Sequence, residues 1–497
     1  MVAVARNARR VEVGPEALSA LAAARAVVEH ALGDGLPHYG VNTGFGSLSR
    51  KRIPTQSVAE LQRNLIRSHA CGVSEPLPTD VVRAMMLLLA ASLCRGMSGV
   101  RAVIPEQIVK LLNAGLTPVV PSVGSVGASG DLAPLAHVAL ALIGEGFITQ
   151  AGRSGLTVPA HEALAAANIA PIALEAKEGL ALINGTHLMA AQGTLLCHDA
   201  DTTFAAALTA AAMSIDASRG TDAFLDARVH AARQQPGQVL VASRLRELLR
   251  GSEIIPSHVE NDPRVQDPYS LRCMPQVLGA AWDCLSYVKL AVTQELGAVT
   301  DNPLVFALGD GTAPDPHSSI VSAGNFHGMP LAIPLDSLTI ALAHIAGISE
   351  RRTFWMLSNF DPEAHLSAYL TPKPGLNSGL MIVQYTAAAC CNEIITLATP
   401  ASVSNVSTSA GIEDYNSFGP RAAAKARRAL DLVQTVVAIE LLCAAQGIEY
   451  HRPLKSGTAV EKAHAAIRAK VPALQDDRIL APDIEAVLQL VRAGAFA

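Results

Sequence analysis

The chain has 497 residues, a formal net charge of -5, 50% hydrophobic residues and 16% charged ones. That length exceeds one simple core, and the apolar excess, largely Ala and Leu, points to a large helical protein that buries further area between copies. The small negative charge argues against a nucleic-acid or anionic-membrane partner, and eight cysteines with no Cys-x-x-Cys argue against disulfides and structural zinc.

The first residues, MVAVARNARRVEV, hold no apolar stretch ahead of a cleavage site, and the strongest early apolar run, residues 84–94, is too short to cross a bilayer. The reading is a cytoplasmic protein. Fifteen histidines include no His-Glu-x-x-His or comparable ligand pair, so no metal is assigned.

Residues 15–32 read as a helix ended by Gly33-Asp34-Gly35. HYGVNTGFGSLS, residues 38–49, is a loop. Tyr39 within it is either a packed ring with its hydroxyl at the surface or a functional group. The next helix places Ser68 and His69 near its end, where His69 reads as a C-terminal cap. Thr79 is the expected N-cap of a helix running through MMLLLAASLC to Gly96. Residues 104–114 form another helix, stopped by Gly115, and Pro118-Val-Val-Pro121 is extended.

GSVGASGDLAP, residues 124–134, follows. A glycine-rich turn before a helix is the plain reading. A phosphate cradle lacks its Lys-Ser/Thr ending and meets Asp131 instead, and a nucleophile elbow needs glycines at other offsets. One further chemistry is open. With no Cβ at Gly130, its amide nitrogen can reach the carbonyl carbon of Ala128 and close a five-membered ring. Loss of water, including the Ser129 hydroxyl, then leaves an exocyclic methylidene, an electrophile that no ordinary side chain supplies.

Residues 132–144 read as a short buried helix, and 145–160 as a small surface hairpin. EGLALINGTHLMAA, residues 178–191, breaks a helical pattern at Asn184-Gly185. Asn184 is then a helix breaker or a group aimed into a cavity. Long helices take over from about residue 195. Leu335, Leu338, Leu342 and Ile345 mark one buried stripe, and Leu430, Val433, Val437 and Leu441 mark another in a helix ending at Gly447. The pattern predicts a mainly α protein with an N-terminal domain over 1–210 and a helical bundle over 211–497.

Four loops carry groups that a bundle does not need. VQDPYSLRC, residues 265–273, offers Gln266, Tyr269 and Arg272, which share a face if the segment is helical. Arg272 suits a carboxylate ligand or a surface salt bridge. SAGNFHGMP carries Phe326, and GLNSG opens a helix. In STSAGIEDYNSFGP, Glu413 and Asp414 read as charges at a helix N-terminus.

Taken together, YGVNTGFG, GSVGASGDLAPLAH, INGTH, QDPYSLR, GNFH and PLKSG resemble the aromatic amino acid ammonia-lyase family over nearly the whole chain. The resemblance implies a MIO-bearing N-terminal domain followed by a long helical bundle of the fumarase/aspartase-like superfamily. It implies that Ala128, Ser129 and Gly130 cyclise to the methylidene-imidazolone (MIO) group, with Asp131 positioning it. Tyr39 matches the catalytic base, Asn184 the asparagine near the ring oxygen, and Gln266, Tyr269 and Arg272 the glutamine, tyrosine and carboxylate-binding arginine. Phe326 matches an active-site phenylalanine. The resemblance further implies a homotetramer whose active sites are shared between subunits.

Ser68-His69 and Glu413 match the histidine-selective members, in which an acid beside the imidazole suits its N-H. The implied reaction is non-oxidative deamination of L-histidine to trans-urocanate and ammonia. Two departures, Ile412-Glu413-Asp414-Tyr415-Asn416 and Gly328-Met329-Pro330, leave a tyrosine or phenylalanine ammonia-lyase and a 2,3-aminomutase as alternatives. Outside the family stand a serine amidohydrolase using Ser129 and an inactive helical scaffold. For Tyr39 to act as a base, its pKa is expected to be lowered by electropositive neighbours.

Overall fold

The computed structural model describes residues 1–150, 156–307 and 319–497. It is mainly helical, and the described strands are two to four residues long. The chain divides into two compact units. One comprises Met1–Leu195, Leu290–Leu335 and Ala401–Ala424, and the other Leu196–Lys289, Asp336–Pro400 and Lys425–Ala497.

In the first unit, helix Pro15–Gly33 begins on a proline, whose missing N–H has no intrahelical partner to lose at that position. Its apolar face, Ala24, Val27 and Val28, packs with Val41, Val58 and Val305. Val41 thereby anchors the loop that carries Tyr39. Helix Val58–His69 ends at the His69 predicted to close it. Thr79 is not the cap expected from sequence. Pro78 holds the N-cap position in an extended conformation, and Thr79 is the first helical residue of Thr79–Leu93. That helix is buried almost throughout, with Met85, Met86 and Leu89 fully enclosed. Arg83 is buried within it because its guanidinium donates to the carbonyls of Val4, Ala5 and Leu112.

The extended stretch at 118–121 is divided between two sheets. Leu116–Pro118 pairs antiparallel with Phe147–Gln150, which pairs with Thr157–Pro159. The last two are the arms of the hairpin expected at 145–160, and its connecting residues 151–155 lie outside the described residues. Pro121–Val123 instead pairs with Val73–Pro76 and leads directly into the glycine-rich turn. Helix Leu132–Leu142 follows that turn and buries nearly every side chain.

The second unit is built from helices, among them Pro236–Leu249, Met381–Leu397 and Thr458–Arg468. Both predicted stripes are buried, through Leu338, Leu342 and Ile345 and through Leu430, Val433, Val437 and Leu441. Helix Gly419–Glu449 runs through Gly447, because a helical glycine costs little where close packing favours it; a Cβ there would meet Ala217 at 2.9 Å. At the centre of this unit Arg352 grips Glu440 with two hydrogen bonds, and Ser214 and Ser349 donate to the same carboxylate. All of that charge is buried, so the paired hydrogen bonds are what make its burial tolerable. Two helices, Met329–Ser358 and Gly419–Glu449, are long and apolar enough to cross a membrane, and their apolar windows are 61% and 89% buried.

Candidate active site

The turn at 124–131 is more than a lead-in to a helix. Helix Glu178–Ile183 stops at Asn184, which is extended, and the next helix starts at His187. The break delivers Gly185 to the turn, where it pairs in parallel with Gly130. The Asp131 amide donates to the Gly185 carbonyl at 2.7 Å, and the Gly185 amide donates to the Ser129 carbonyl. Gly130 has a φ of 71°, and a Cβ on it would stand 2.1 Å from the Gly185 oxygen. Only glycine permits this approach. Ala128 is buried, and Ser129 beside it is half-buried.

Asp131 is fully buried behind the turn. Its carboxyl accepts from the amides of Leu188 and Met189 at the start of the helix His187–Ala217, and from Ser125 Oγ. Burial outweighs these bonds and pushes its pKa up to about 7.

Beside the turn lies a cavity of about 910 Å³, whose walls include Tyr39, His69, Ala128, Ser129, Asn184, Phe326 and Glu413. Seven residues taken from six separate stretches of sequence thus share one hollow of the first unit. The cavity is large enough for an amino acid, and it mixes apolar walls with a few polar groups.

Each polar group has a defined setting. Tyr39 accepts a hydrogen bond from the Gly46 amide at 3.4 Å. Burial raises its pKa, the Gly46 amide lowers it, and the Glu413 carboxylate raises it. This reverses the expectation of a lowered Tyr39. Its neighbour within the unit is an anion, and the electropositive group anticipated from sequence is not among the causes. His69 Nδ1 lies 2.9 Å from the Leu65 carbonyl and 3.1 Å from Ser68 Oγ. It therefore carries its proton on Nδ1, closing its own helix as predicted, and burial lowers its pKa. Glu413 lies six residues before helix Gly419–Glu449, too far out to be a charge of the first turn. It is instead held by Thr408, whose amide and hydroxyl contact it. Asn184 donates Nδ2 to the Asn302 carbonyl at 3.0 Å, and its buried Oδ1 has no partner among the described residues.

Gln266, Tyr269 and Arg272 lie in the second unit. They line a hollow of about 390 Å³ with Arg264, Trp355 and Phe360. They do not share a helix face, because Pro268 is the N-cap and only Tyr269–Arg272 is helical. Arg272 stacks over the Tyr269 ring at 4.5 Å and donates to the Asp267 carbonyl. It makes no ion pair among the described residues, so its guanidinium is not used up in a surface salt bridge. Among the described residues no histidine hydrogen-bonds to Ser129 Oγ, as a serine nucleophile requires, and no group of three or more His, Cys, Asp or Glu is placed to hold a metal.

Sequence reasoning passed over Thr408, Lys177, Asp301 and Asn302. Lys177-Glu178, a charged pair ahead of the apolar run LALI, was the available signal.

The fold and the cavity together define a mainly helical enzyme. The aromatic amino acid lyase family model matches residues 1–469. A histidine ammonia-lyase of Deinococcus radiodurans is 48% identical over 483 residues, covering 97% of this chain and 90% of the relative. The crystal structure of histidine ammonia-lyase from Trypanosoma cruzi matches with a TM-score of 0.91 and 39% identity, over 100% of this chain and 91% of that one. A tyrosine aminomutase from Streptomyces globisporus matches with a TM-score of 0.91 and 35% identity, over 99% and 94%. The chain belongs to the aromatic amino acid lyase family.

Proposed function

We propose that this protein converts L-histidine to trans-urocanate and ammonia. The observation that carries the reading is that Glu413 and the Ser68-His69 pair line the same cavity as Tyr39 and Ala128-Ser129. A carboxylate and a Nδ1-protonated histidine present acceptors, and the imidazole ring offers N–H donors to them. The high identity to histidine ammonia-lyases supports the same substrate.

The residues of the turn fit a MIO group made from Ala128, Ser129 and Gly130. Gly130 is free of a Cβ and braced by Gly185, and Asn184, whose buried Oδ1 has no partner among the described residues, lines a cavity that Ala128 and Ser129 also line. Such a ring supplies an electrophilic carbon for the substrate amine and makes that amine a better leaving group. Asn184 hydrogen-bonds the reacting groups in the cavity and the charge that develops there. Tyr39 takes the β-proton as the carbon–nitrogen bond breaks and the double bond forms. Asp131 holds the turn to the start of the helix His187–Ala217.

Arg272, with Gln266 and Tyr269, binds the substrate carboxylate from another copy of the chain in a homotetramer. Supporting this, Arg272 makes no ion pair among the described residues, Tyr269 is 69% exposed, and helix Met381–Leu397 exposes Ile382, Tyr385 and Ile395. A guanidinium arriving beside Tyr39 also provides an electropositive neighbour, which is not among the causes of the Tyr39 shift in the described residues. The protein acts in the cytoplasm.

A second reading, a tyrosine-directed lyase or aminomutase, is favoured by Tyr415 and Gly328-Met329 at the departures from the histidine pattern and by the similarity to the tyrosine aminomutase. Assaying L-His, L-Tyr and L-Phe, with the unsaturated acid followed by ultraviolet absorbance, separates the two. Turnover of histidine alone supports the first, and turnover of tyrosine without histidine sinks it.

A further inference from the structure

The short helix Glu178–Ile183 is held at both ends by two consecutive residues. At its start Lys177, fully buried with a φ of 73°, donates from Nζ to Asp301 Oδ2 at 2.6 Å. At its end Asn184 donates to the carbonyl of Asn302 at 3.0 Å. Asp301 and Asn302 are themselves tied down. Asp301 Oδ1 accepts the Asn302 amide, and Asn302 Oδ1 accepts the Ala323 amide. The helix is therefore clamped along its length against one dipeptide.

The clamp reaches two groups of the site. It ties the Asn184 side chain, through one of its two amide hydrogens, to a backbone carbonyl, and so fixes the side chain of a residue that lines the cavity. It also supports the Tyr39 loop, because Gly40 rests on Leu180, Pro303 and the Lys177 stem. A Cβ at Gly40 would stand 2.7, 3.1 and 3.6 Å from those three side chains. A buried ammonium–carboxylate pair is a costly way to join two segments, since packed apolar groups of similar volume serve stability as well or better. Its value here is directional.

We propose that Lys177 and Asp301 are positioning residues for the deamination. Their ion pair fixes residues 301–302 so that the Asn184 side chain is held in place in the cavity that Ala128-Ser129 also line. The proposal rests on the assignment of Asn184 to the active site made above.

The test is a double-mutant cycle on the full-length protein. Lys177→Met and Asp301→Asn are each made in the wild type and in Asn184→Ala. Melting temperature, kcat, KM and hydrogen exchange are measured for all. In the wild-type background, each variant is expected to lower kcat roughly 10–100-fold with KM changed by less than about threefold. In the Asn184→Ala background the same substitutions should change kcat by less than about twofold, while the drop in melting temperature stays the same. Independently of activity, amide exchange should rise in peptides covering 178–186 and 299–305 and stay at wild-type levels across 103–113. Losses of kcat that multiply regardless of Asn184 overturn the proposal, as does unchanged exchange in both peptides. Should Lys177→Met not fold, Asp301→Asn, which keeps an acceptor for Lys177, reads the same coupling. Wild-type turnover in Asn184→Ala alone would contradict the assignment of Asn184, and the exchange result would still decide whether the clamp exists.

Discussion

Gly130 and Gly185 face each other so closely that a single methyl on Gly130 would lie 2.1 Å from the Gly185 carbonyl oxygen. Fifty-five positions separate them in sequence, and the break at Asn184-Gly185 exists to bring them together. Gly185 has no more room than its partner. At a φ of 130°, a Cβ on it would meet His187 Cε1 and Thr300 Oγ1 at 2.6 Å each. Gly185→Ala is therefore expected to cost about 1–3 kcal/mol of stability and to push the turn out of register. Thermal melts and histidine turnover check this. A variant that melts and turns over like the wild type would contradict the bracing of the turn by Gly185.

Glu413 has two effects of opposite consequence for catalysis. As an acceptor it suits the imidazole, and as a nearby anion it raises Tyr39. Glu413→Gln is expected to lower kcat/KM for histidine by about 10–100-fold, the worth of a charge-assisted hydrogen bond. It should also release Tyr39 from part of its upward shift, so the rising limb of the pH–rate profile moves to lower pH. Full pH–rate profiles of both proteins measure the two effects separately. A limb that moves upward, or does not move, would show that Glu413 and Tyr39 are not coupled.

Asp131 sets a pH dependence of stability. Burial raises its folded pKa to about 7, above the value of an unfolded aspartate. The native state then holds a proton that the unfolded state has released. This contribution is largest below pH 4 and declines as the pH rises toward 7, by roughly 4 kcal/mol at the outside. Asp131→Asn keeps a neutral side chain that accepts from Leu188 and Met189, and is expected to flatten the stability profile between pH 4 and 7. Urea unfolding across that range gives the answer, and an identical slope in both proteins would refute the buried-carboxyl account.

The assignment of Arg272 to another copy of the chain makes a prediction about mixed oligomers. Ser129→Ala and Arg272→Ala should each be nearly inactive. Co-expressed in one cell, they should form hybrids that recover turnover above either parent, because some sites receive an intact turn from one chain and an intact arginine from another. Hybrids purified by two different affinity tags test this. No recovery in verified hybrids would count against a shared site.

Local features were readable in the sequence because local chemistry decides them. Pro15 and Gly35 bound a helix, the arms of the hairpin pair as their residues suggest, and the spacing of Leu335, Leu338, Leu342 and Ile345 identifies a buried stripe. The motifs also located the cavity lining from Tyr39 to Glu413, though not its electrostatics. Tyr39 was expected to be lowered, but the sign depends on burial and on Glu413, 374 positions away. The shared helix face of Gln266, Tyr269 and Arg272 was ruled out by Pro268, a signal present in the sequence and outweighed there by the spacing. The Lys177–Asp301 pair could not be read, because nothing local in either segment names its partner.

The central claim is that Ala128, Ser129 and Gly130 become an electrophilic ring. Ring closure and dehydration remove two water molecules from the chain, so the mass of a proteolytic peptide containing residues 124–134 tests it directly. In the active protein that peptide should be lighter than its sequence by two waters, and Ser129→Ala should lack the change and the turnover together while melting like the wild type. A peptide of unmodified mass from protein that fully deaminates histidine would contradict the account.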